Sequence, residues 1–282
     1  MSRIISLLIL ALAVTAQAKD VSQVITDSIP SHLLGVSRAY NVYLPANYDP
    51  VKHYPILYLL HGKGGGNIDW TVDGHLREVA DRLIASGEMQ PTVIVMPDGG
   101  ERNTPGKFGY FDIKDWPFEQ FFFAEFIPQV EEKYNAGGTQ GERAIAGLSM
   151  GGGGSTAYAQ KHPEMFGSVY AMSALMDTPE GRKFNSDNDL YNAGVRANSC
   201  IEFVKSADDA TKEALCGIVW YIDCGDDDFL LDRNLEFYRE MRKRGIPAQL
   251  RVRDGGHDWE YWHTALYTAL PFASRNFKTR QQ

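Results

Sequence analysis

The twelve residues AIAGLSMGGGGS (144–155) are the most informative part of the chain, because they place a serine between an apolar run and a cluster of glycines. Glycine loses more backbone entropy on folding than any other residue, so five glycines in so short a stretch need a structural reason. A flexible linker is one interpretation. The other is a sharp turn from a strand into a helix, in which Gly147 and Gly151 give steric clearance around Ser149. The apolar run ERAIAG (142–147) just before the serine favours the turn.

Similar apolar runs that end at turn residues recur along the chain and predict strands buried on both faces of a parallel sheet. They are YPILYLLHG (54–62), PTVIVMPDG (91–99), ERAIAG (142–147), FGSVYAMSA (166–174), IVWYIDCG (218–225) and AQLRVRDGG (248–256). Helical patterns fall between them at 76–87, 117–134 and 231–245. This alternation predicts an α/β fold, with a doubly wound, mostly parallel sheet and helices on both faces.

Ligands of such sheets bind beyond the carboxyl ends of the strands, and the chemically informative residues follow predicted strands. Ser149 follows one of them, HGKGGG (61–66) follows another, and GDDD (225–228) and His257 follow the last two. The sequence therefore predicts that these residues meet at one edge of the sheet.

A serine hydroxyl needs a base to take its proton, and the base needs an acid to orient it. In this fold class the chain order is serine, acid, histidine. His257 follows a late strand in a glycine-rich turn, whereas His263 lies in a predicted helix, so His257 is the expected base. The residues alone leave three consecutive candidates for the acid: Asp226, Asp227 and Asp228.

The oxyanion of an acyl-transfer reaction needs backbone N–H donors. The residue after the nucleophile, Met150, is expected to supply one. The loop HGKGGG is expected to supply the other, from Lys63 or from its neighbour Gly64. The same glycines could form a phosphate-binding loop, but Gly64 stands where that motif requires serine or threonine.

Six segments together resemble the esterase D-like family of α/β-hydrolases, from about Tyr40 to the end of the chain. They are YLLHGKGGGNIDW, VIVMPDGG, FFFAEFIPQVEEKY, AIAGLSMGGGGS, CGDDDFLLDRN and GGHDWEYW. Among its members the chain is most similar to carbohydrate esterase family 1, the feruloyl and acetylxylan esterases. The resemblance implies Ser149 as nucleophile and His257 as base. It also implies Asp228 as acid, because the family places that residue third after the glycine that ends the strand, here Gly225.

The resemblance implies an esterase that removes feruloyl or acetyl groups from xylan through an acyl-enzyme and needs no cofactor. The expected partner is an acylated oligo- or polysaccharide. Aromatic residues near the expected base and oxyanion loop can stack on a sugar or phenolic group or can simply pack in the core. These candidates are Trp70, Trp259, Tyr261 and Trp262. The predicted surface loop 100–116 is expected to shape the same pocket.

Other functions are compatible with the same residues. The chain could transfer the acyl group to an acceptor other than water, or act as a general short-chain or S-formylglutathione-type esterase. The S-formylglutathione hydrolases are cytosolic, and the signal-peptide pattern in the first 18 residues of this chain argues against that branch. A non-enzymatic carbohydrate-binding protein on this fold is disfavoured by the intact serine, acid and histidine.

The first residues, MSRIISLLILALAVTAQA, have a basic start, an apolar run and a small-residue cleavage pattern. They predict a signal peptide over 1–18, a single esterase domain over 19–282, and a secreted or periplasmic protein that is not held in a membrane. Removing them takes away Arg3 and no acidic residue, which leaves 27 basic residues (one fewer than in the full chain) against 36 acidic ones, a net charge of −9. Such a charge disfavours nucleic acid as a partner.

The three cysteines of the chain lack the spacing of a metal or redox motif, and no metal site is expected. In an exported chain an odd number leaves one thiol unpaired. Cys200 and Cys216 could form a disulfide across a loop, whereas Cys224, at the end of an apolar run, is expected to be buried.

Overall fold

The computed structural model describes residues 21–101, 104–179 and 189–278, so the predicted signal peptide (1–18) lies outside the described residues. The described ranges contain ten strands. They are β1 (Gln23–Pro30), β2 (Ser37–Leu44), β3 (Ile56–Leu60), β4 (Val93–Pro97), β5 (Asp112–Ile113), β6 (Trp116–Pro117), β7 (Arg143–Leu148), β8 (Ser168–Met172), β9 (Val219–Gly225) and β10 (Ala248–Arg253).

Eight of these strands form one sheet in the order β1-β2-β4-β3-β7-β8-β9-β10. Strand β2 is antiparallel to both of its neighbours, and every pairing from β4 to β10 is parallel. Strands β5 and β6 pair separately as a short hairpin in the predicted loop 100–116. The six strands predicted from apolar runs are the six parallel ones, and the mostly parallel sheet is confirmed.

Ten α-helices lie within the described ranges. They are α1 (Asp69–Val72), α2 (Leu76–Ala85), α3 (Phe118–Phe121), α4 (Ile127–Tyr134), α5 (Met150–Lys161), α6 (Asp189–Ala197), α7 (Cys200–Ser206), α8 (Asp209–Cys216), α9 (Leu231–Lys243) and α10 (Trp259–Asn276). A π-helical turn, Phe122–Phe126, joins α3 to α4, so the segment predicted as one helix over 117–134 is helical from Phe118 to Tyr134, whereas Pro117 belongs to β6. None of the described helices combines the length and apolarity needed to cross a bilayer.

Alternate side chains of the parallel strands enter two separate cores, one on each face of the sheet. On β3, Tyr58 packs with the buried phenylalanines of the 118–134 segment. Its neighbours Leu57 and Leu59 join the core formed with α2 and α10 on the opposite face. Successive side chains of a strand point to opposite faces of the sheet, which explains this division. The structure is therefore an α/β sheet with helices on both faces, as the sequence predicts.

The glycines after β7 lie inside α5 and give it room to pack against the sheet. A Cβ atom on Gly151 would come within 2.5 Å of the Leu60 carbonyl oxygen, and one on Gly153 within 2.2 Å of the Leu175 carbonyl oxygen. A Cβ atom on Gly147 would meet the backbone of Gly151 at 2.5 Å. The linker interpretation is therefore wrong, because these glycines are required for close helix–sheet packing.

All three cysteines carry free thiols, so the possible Cys200–Cys216 disulfide is not formed. Cys200 is buried at the start of α7, where its Sγ lies 3.5 Å from the Gly153 carbonyl oxygen. Cys216 is exposed at the end of α8 and contacts the Gly245 carbonyl oxygen instead. Cys224 is fully buried on β9, as expected.

Replacing Gly151 by alanine is expected to lower the free energy of unfolding by about 1–3 kcal/mol, because the added Cβ overlaps main-chain atoms that cannot move independently. Gly217→Ala is the matched control: its φ is −75°, and the nearest atom to the added Cβ is 3.2 Å away. Urea unfolding followed by circular dichroism measures both variants. Equal stability of Gly151→Ala and the unsubstituted chain would contradict the packing argument.

Candidate active site

Ser149 occupies the single-residue turn between β7 and α5 and has a strained backbone, with φ 51° and ψ −115°. Few residues other than glycine adopt a positive φ, so the surroundings must hold this conformation. The Ser149 N–H donates to the Met172 carbonyl at 2.9 Å. Its own carbonyl accepts from the N–H groups of Gly153 and Leu175. Strand β8, the segment after it and α5 therefore fix the serine at the carboxyl edge of the sheet.

A chain of two side-chain hydrogen bonds links Ser149 to His257 and Asp228. The Ser149 Oγ lies 2.9 Å from His257 Nε2, and His257 Nδ1 lies 2.8 Å from Asp228 Oδ2. An ionised carboxylate only accepts hydrogen bonds, so Nδ1 carries the imidazole proton and Nε2 is left to accept from the serine hydroxyl. This arrangement can remove a proton from Ser149.

The structure distinguishes Asp228 from the two aspartates before it. The Asp228 carboxylate is fully buried and also accepts a hydrogen bond from the Leu230 N–H at 2.8 Å. Asp226 is exposed and accepts from the Gly255 N–H, and Asp227 is exposed as well. Of the three, only the Asp228 side chain contacts His257.

The two segments expected to supply oxyanion donors meet beside Ser149. A Cβ atom on Gly62 would lie 3.6 Å from the Ser149 Cβ atom, so the loop after β3 passes directly next to the serine. Lys63 sits in the turn closed by the Gly65 N–H and the Gly62 carbonyl. Met150 is the first residue of α5, where backbone N–H groups have no intrahelical acceptor. The backbone amides of Lys63 and Met150 remain the predicted donors.

A buried polar network lies behind this loop. His61 accepts a hydrogen bond from the Gly99 N–H at Nε2 and donates from Nδ1 to the Gly62 carbonyl. The adjacent Asp98 pairs with Arg38 of β2, with 3.1 Å between Nη2 and Oδ1, and both side chains are almost completely buried. The loop after β3 and the loop after β4 are therefore held together by side chains that water does not reach.

Burial is the main reason that the pKa of His61 lies below its ordinary value of 6.5. The neighbouring Asp98 carboxylate and the Gly62 carbonyl act in the opposite direction but are outweighed. His61 is accordingly neutral, which matches a ring that accepts at Nε2 and donates at Nδ1.

Two of the tryptophans expected to contact substrate are core residues. Trp70 is fully buried and its Nε1 donates to the Leu60 carbonyl, so the prediction that it contacts substrate is wrong. Trp262 is 7% exposed; its Nε1 donates to Ser173 Oγ and its ring packs edge-on against His257. The Trp262 ring therefore supports His257 and is too buried to contact a substrate.

Tyr261 is buried too, and its hydroxyl donates a hydrogen bond to Asp223. Trp259 is half-buried between Trp70 and Trp262, which its ring meets edge-on.

Phe229 is an aromatic neighbour of His257 that sequence reasoning missed. Its ring centroid lies 4.5 Å from that of His257, and the side chain is 38% exposed. Its position in the sequence could have identified it, because Phe229 directly follows Asp228 in the loop that carries the catalytic acid.

A small apolar pocket is lined by Met150, the residue that follows the serine. Its volume is about 10 Å³, roughly the minimum that holds one water molecule. Two of its lining rings, Phe108 and Tyr191, stack on each other with 4.7 Å between their centroids, and the Lys63 ammonium group lies 5.1 Å from the Tyr191 ring centroid. Phe108 belongs to the loop 100–116 that was expected to shape a pocket, whereas nothing in the sequence pointed to Tyr191.

Among the described residues, Asp226, Asp227 and Asp254 are grouped closely enough to hold a metal ion. All three are exposed, and such acidic groups are common on protein surfaces without an ion. The hydrogen-bonded chain from Ser149 to Asp228 is complete without them.

A hydrogen-bonded serine, histidine and aspartate, each following a different strand at the carboxyl edge of this sheet, define a serine hydrolase of the α/β-hydrolase fold. The family model described as "Putative esterase" matches residues 31–273, and the chain belongs to this esterase family.

Known proteins similar to this chain carry related names. A solved structure of a ferulic acid esterase is 50% identical and superposes with a TM-score of 0.89 over 92% of this chain and 99% of that one. An endo-1,4-beta-xylanase/feruloyl esterase of Xylanibacter ruminicola is 36% identical over 53% of this chain. The matched region spans only 21% of the length of that relative. An acetyl esterase of Caldicellulosiruptor saccharolyticus is 25% identical over 78% of this chain and 83% of its own length.

Replacing His61 by glutamine is expected to reduce the loss of stability on acidification. Because the folded chain lowers the pKa of His61 below 6.5, the unfolded chain binds this proton more readily. The stability that depends on a neutral, buried His61 is present above pH 6.5 and is lost as the pH falls below 6.5.

Urea unfolding at about pH 7.5 and about pH 5 gives the relevant difference in unfolding free energy. We expect this difference to be smaller in His61→Gln than in the unsubstituted chain. The exposed residue His32 provides the control substitution, His32→Gln, which should leave the difference unchanged. An unaltered difference in His61→Gln would show that His61 does not carry the effect.

Proposed function

We propose that the chain hydrolyses carbohydrate esters of ferulic or acetic acid, such as those of xylan, through a covalent acyl-enzyme. The observation that carries the proposal is the hydrogen-bonded chain from Ser149 through His257 to Asp228, with links of 2.9 and 2.8 Å. The similarity to a ferulic acid esterase over 92% of the chain supports the feruloyl group as the first acyl group to test.

In the first half of the reaction, His257 Nε2 takes the hydroxyl proton of Ser149 while Oγ attacks the ester carbonyl carbon. The negative charge that develops on the carbonyl oxygen is stabilised by the backbone amides of Lys63 and Met150. Buried Asp228 keeps the imidazole in the required tautomer and stabilises its protonated form. The proton on Nε2 then passes to the departing alcohol oxygen, and the acyl group remains on Ser149.

In the second half, a water molecule replaces the alcohol. His257 takes a proton from this water, which attacks the acyl carbonyl, and the proton then returns to Ser149 Oγ as the acid is released. The same donors stabilise the second oxyanion. These residues provide every proton transfer that ester hydrolysis requires.

The pocket beside Met150 is the proposed acyl site, because Met150 directly follows the serine and the pocket is lined by apolar side chains. At about 10 Å³ it holds roughly one water molecule, so a feruloyl group needs far more additional room there than an acetyl group. Phe108 and Tyr191 line this pocket, so a feruloyl ring admitted there would pack against aromatic side chains.

Export is part of the proposal and rests on the sequence. The signal-peptide pattern over 1–18 would deliver the esterase outside the cytoplasm, where polysaccharide substrates are found. The net charge of −9 after cleavage suits a neutral polysaccharide better than an anionic polymer.

Ser149→Ala is expected to reduce hydrolysis of methyl ferulate or of acetylated xylan by at least about 10³-fold, because no nucleophile remains. Ser155→Ala is the matched control, since this serine lies on α5, the helix that follows the serine turn, and its hydroxyl donates to the Gly151 carbonyl. Released ferulate and acetate are quantified by chromatography, and circular dichroism checks the fold of both variants.

Loss of ferulate release in Ser149→Ala would support a feruloyl esterase, and loss of acetate release alone would support an acetyl esterase. Hydrolysis that survives in folded Ser149→Ala would overturn the mechanism. Cleavage of short-chain nitrophenyl esters without cleavage of either panel substrate would overturn the carbohydrate assignment but not the nucleophile.

Asp228→Asn is expected to lower kcat by about 10⁴-fold, because an amide in place of the carboxylate no longer fixes the tautomer of His257. Asp227→Asn makes the same chemical change one residue earlier, at an exposed side chain, and should leave kcat within about twofold of the unsubstituted enzyme. Steady-state kinetics on methyl ferulate or a nitrophenyl ester compares them. Similar losses in the two variants would contradict the assignment of the acid.

A further inference from the structure

Phe229 is an apolar side chain held at the surface between two buried positions. Asp228 before it and Leu230 after it are 4% and 1% exposed, whereas Phe229 is 38% exposed. Exposing a large aromatic ring forgoes the stabilisation that burial would give. The loop that aims Asp228 at His257 thus also presents an aromatic ring to solvent.

The ring of Phe229 lies against the histidine on which the leaving group depends. Its centroid is 4.5 Å from that of His257, and the planes are inclined by 51°. Among the described residues, the other aromatic ring that packs against His257 is that of Trp262, which is buried and donates a hydrogen bond to Ser173. Of these two neighbours, Phe229 is the one that a substrate can reach.

The chemistry of the site determines which part of the substrate passes beside His257. When the bond between the acyl carbon and the alcohol oxygen breaks, that oxygen takes the proton from His257 Nε2 and the neutral alcohol leaves. The acyl group stays on Ser149, on the side of the pocket next to Met150. Phe229 therefore lies on the side of the departing alcohol.

We propose that Phe229 determines specificity for the alcohol half of the ester, by packing its ring against the sugar that leaves. The proposal rests on the proposed function and names the part of the substrate that this residue recognises. The C–H face of a sugar ring is apolar and broad enough to cover an aromatic side chain, whereas a methyl or ethyl group is too small to do so. The contribution of Phe229 should appear only with carbohydrate esters.

Two esters of one acid isolate this effect, because they share the acyl group and the oxyanion. The pair is methyl ferulate and a feruloyl ester of a pentose. If the enzyme releases acetate instead, the pair is ethyl acetate and acetylated xylo-oligosaccharide. We expect Phe229→Ala to lower kcat/KM for the sugar ester by about tenfold and for the simple ester by less than about twofold.

Phe229→Trp keeps an aromatic surface at this position and should retain most of the preference for the sugar ester. Tyr267→Ala is the matched control, because Tyr267 has the same 38% exposure but lies on α10 against His263. It should change neither kcat/KM. Circular dichroism and thermal unfolding establish that the variants are folded.

Equal losses on both esters in Phe229→Ala would overturn the proposal and assign Phe229 to the support of His257. Unchanged kinetics on both would overturn it as well, as would an unsubstituted enzyme that cleaves the simple ester but no sugar ester. Ser149→Ala, assayed in parallel, separates these results from failure of the proposed function, which would appear as activity that does not depend on Ser149.

Discussion

The strained backbone of Ser149 is the constraint on which the rest of the site depends. A residue with φ 51° between β7 and α5 is held by hydrogen bonds from its N–H and to its carbonyl, and these partners come from β8, α5 and the segment between β8 and α6. Helix α5 can approach closely enough to take part only because Gly151 and Gly153 lack side chains. The close packing of α5 on the sheet and the backbone conformation of the nucleophile therefore depend on the same glycines.

The antiparallel part of the sheet also contributes to the site, although it carries none of the reacting groups. Arg38 on β2 donates to the carbonyls of Asp98 and Gly100 and pairs with the Asp98 carboxylate. The N–H of Gly99, between Asp98 and Gly100, donates to His61, the first residue of the loop that carries Lys63. Burying an ion pair is costly unless both charges are hydrogen-bonded, and here they are. A rigid turn behind the oxyanion loop is the result.

The parallel strands and the serine turn could be predicted because apolar runs and glycine spacing report directly on burial and close packing. Strands β1 and β2 were missed because neither shows a continuous apolar run. Strand β1 is half-exposed, and the mostly buried β2 is interrupted by the polar residues Arg38 and Asn41. The choice of Asp228 among three aspartates needed the family resemblance, because sequence does not say which carboxylate a loop turns inward. Composition likewise could not show that Trp70 is buried while Phe229 is exposed, since that depends on tertiary packing.

The free thiols have a practical consequence for chemical modification of this protein. Cys200 and Cys224 are fully buried, and burial raises the pKa of both, to about 12 for Cys200, which suppresses the reactive thiolate. Cys216 is the exposed member of the three. It lies before β9, at the edge of the sheet opposite to Ser149. A maleimide dye or a solid support would attach there, at one defined point, with the catalytic edge facing outward.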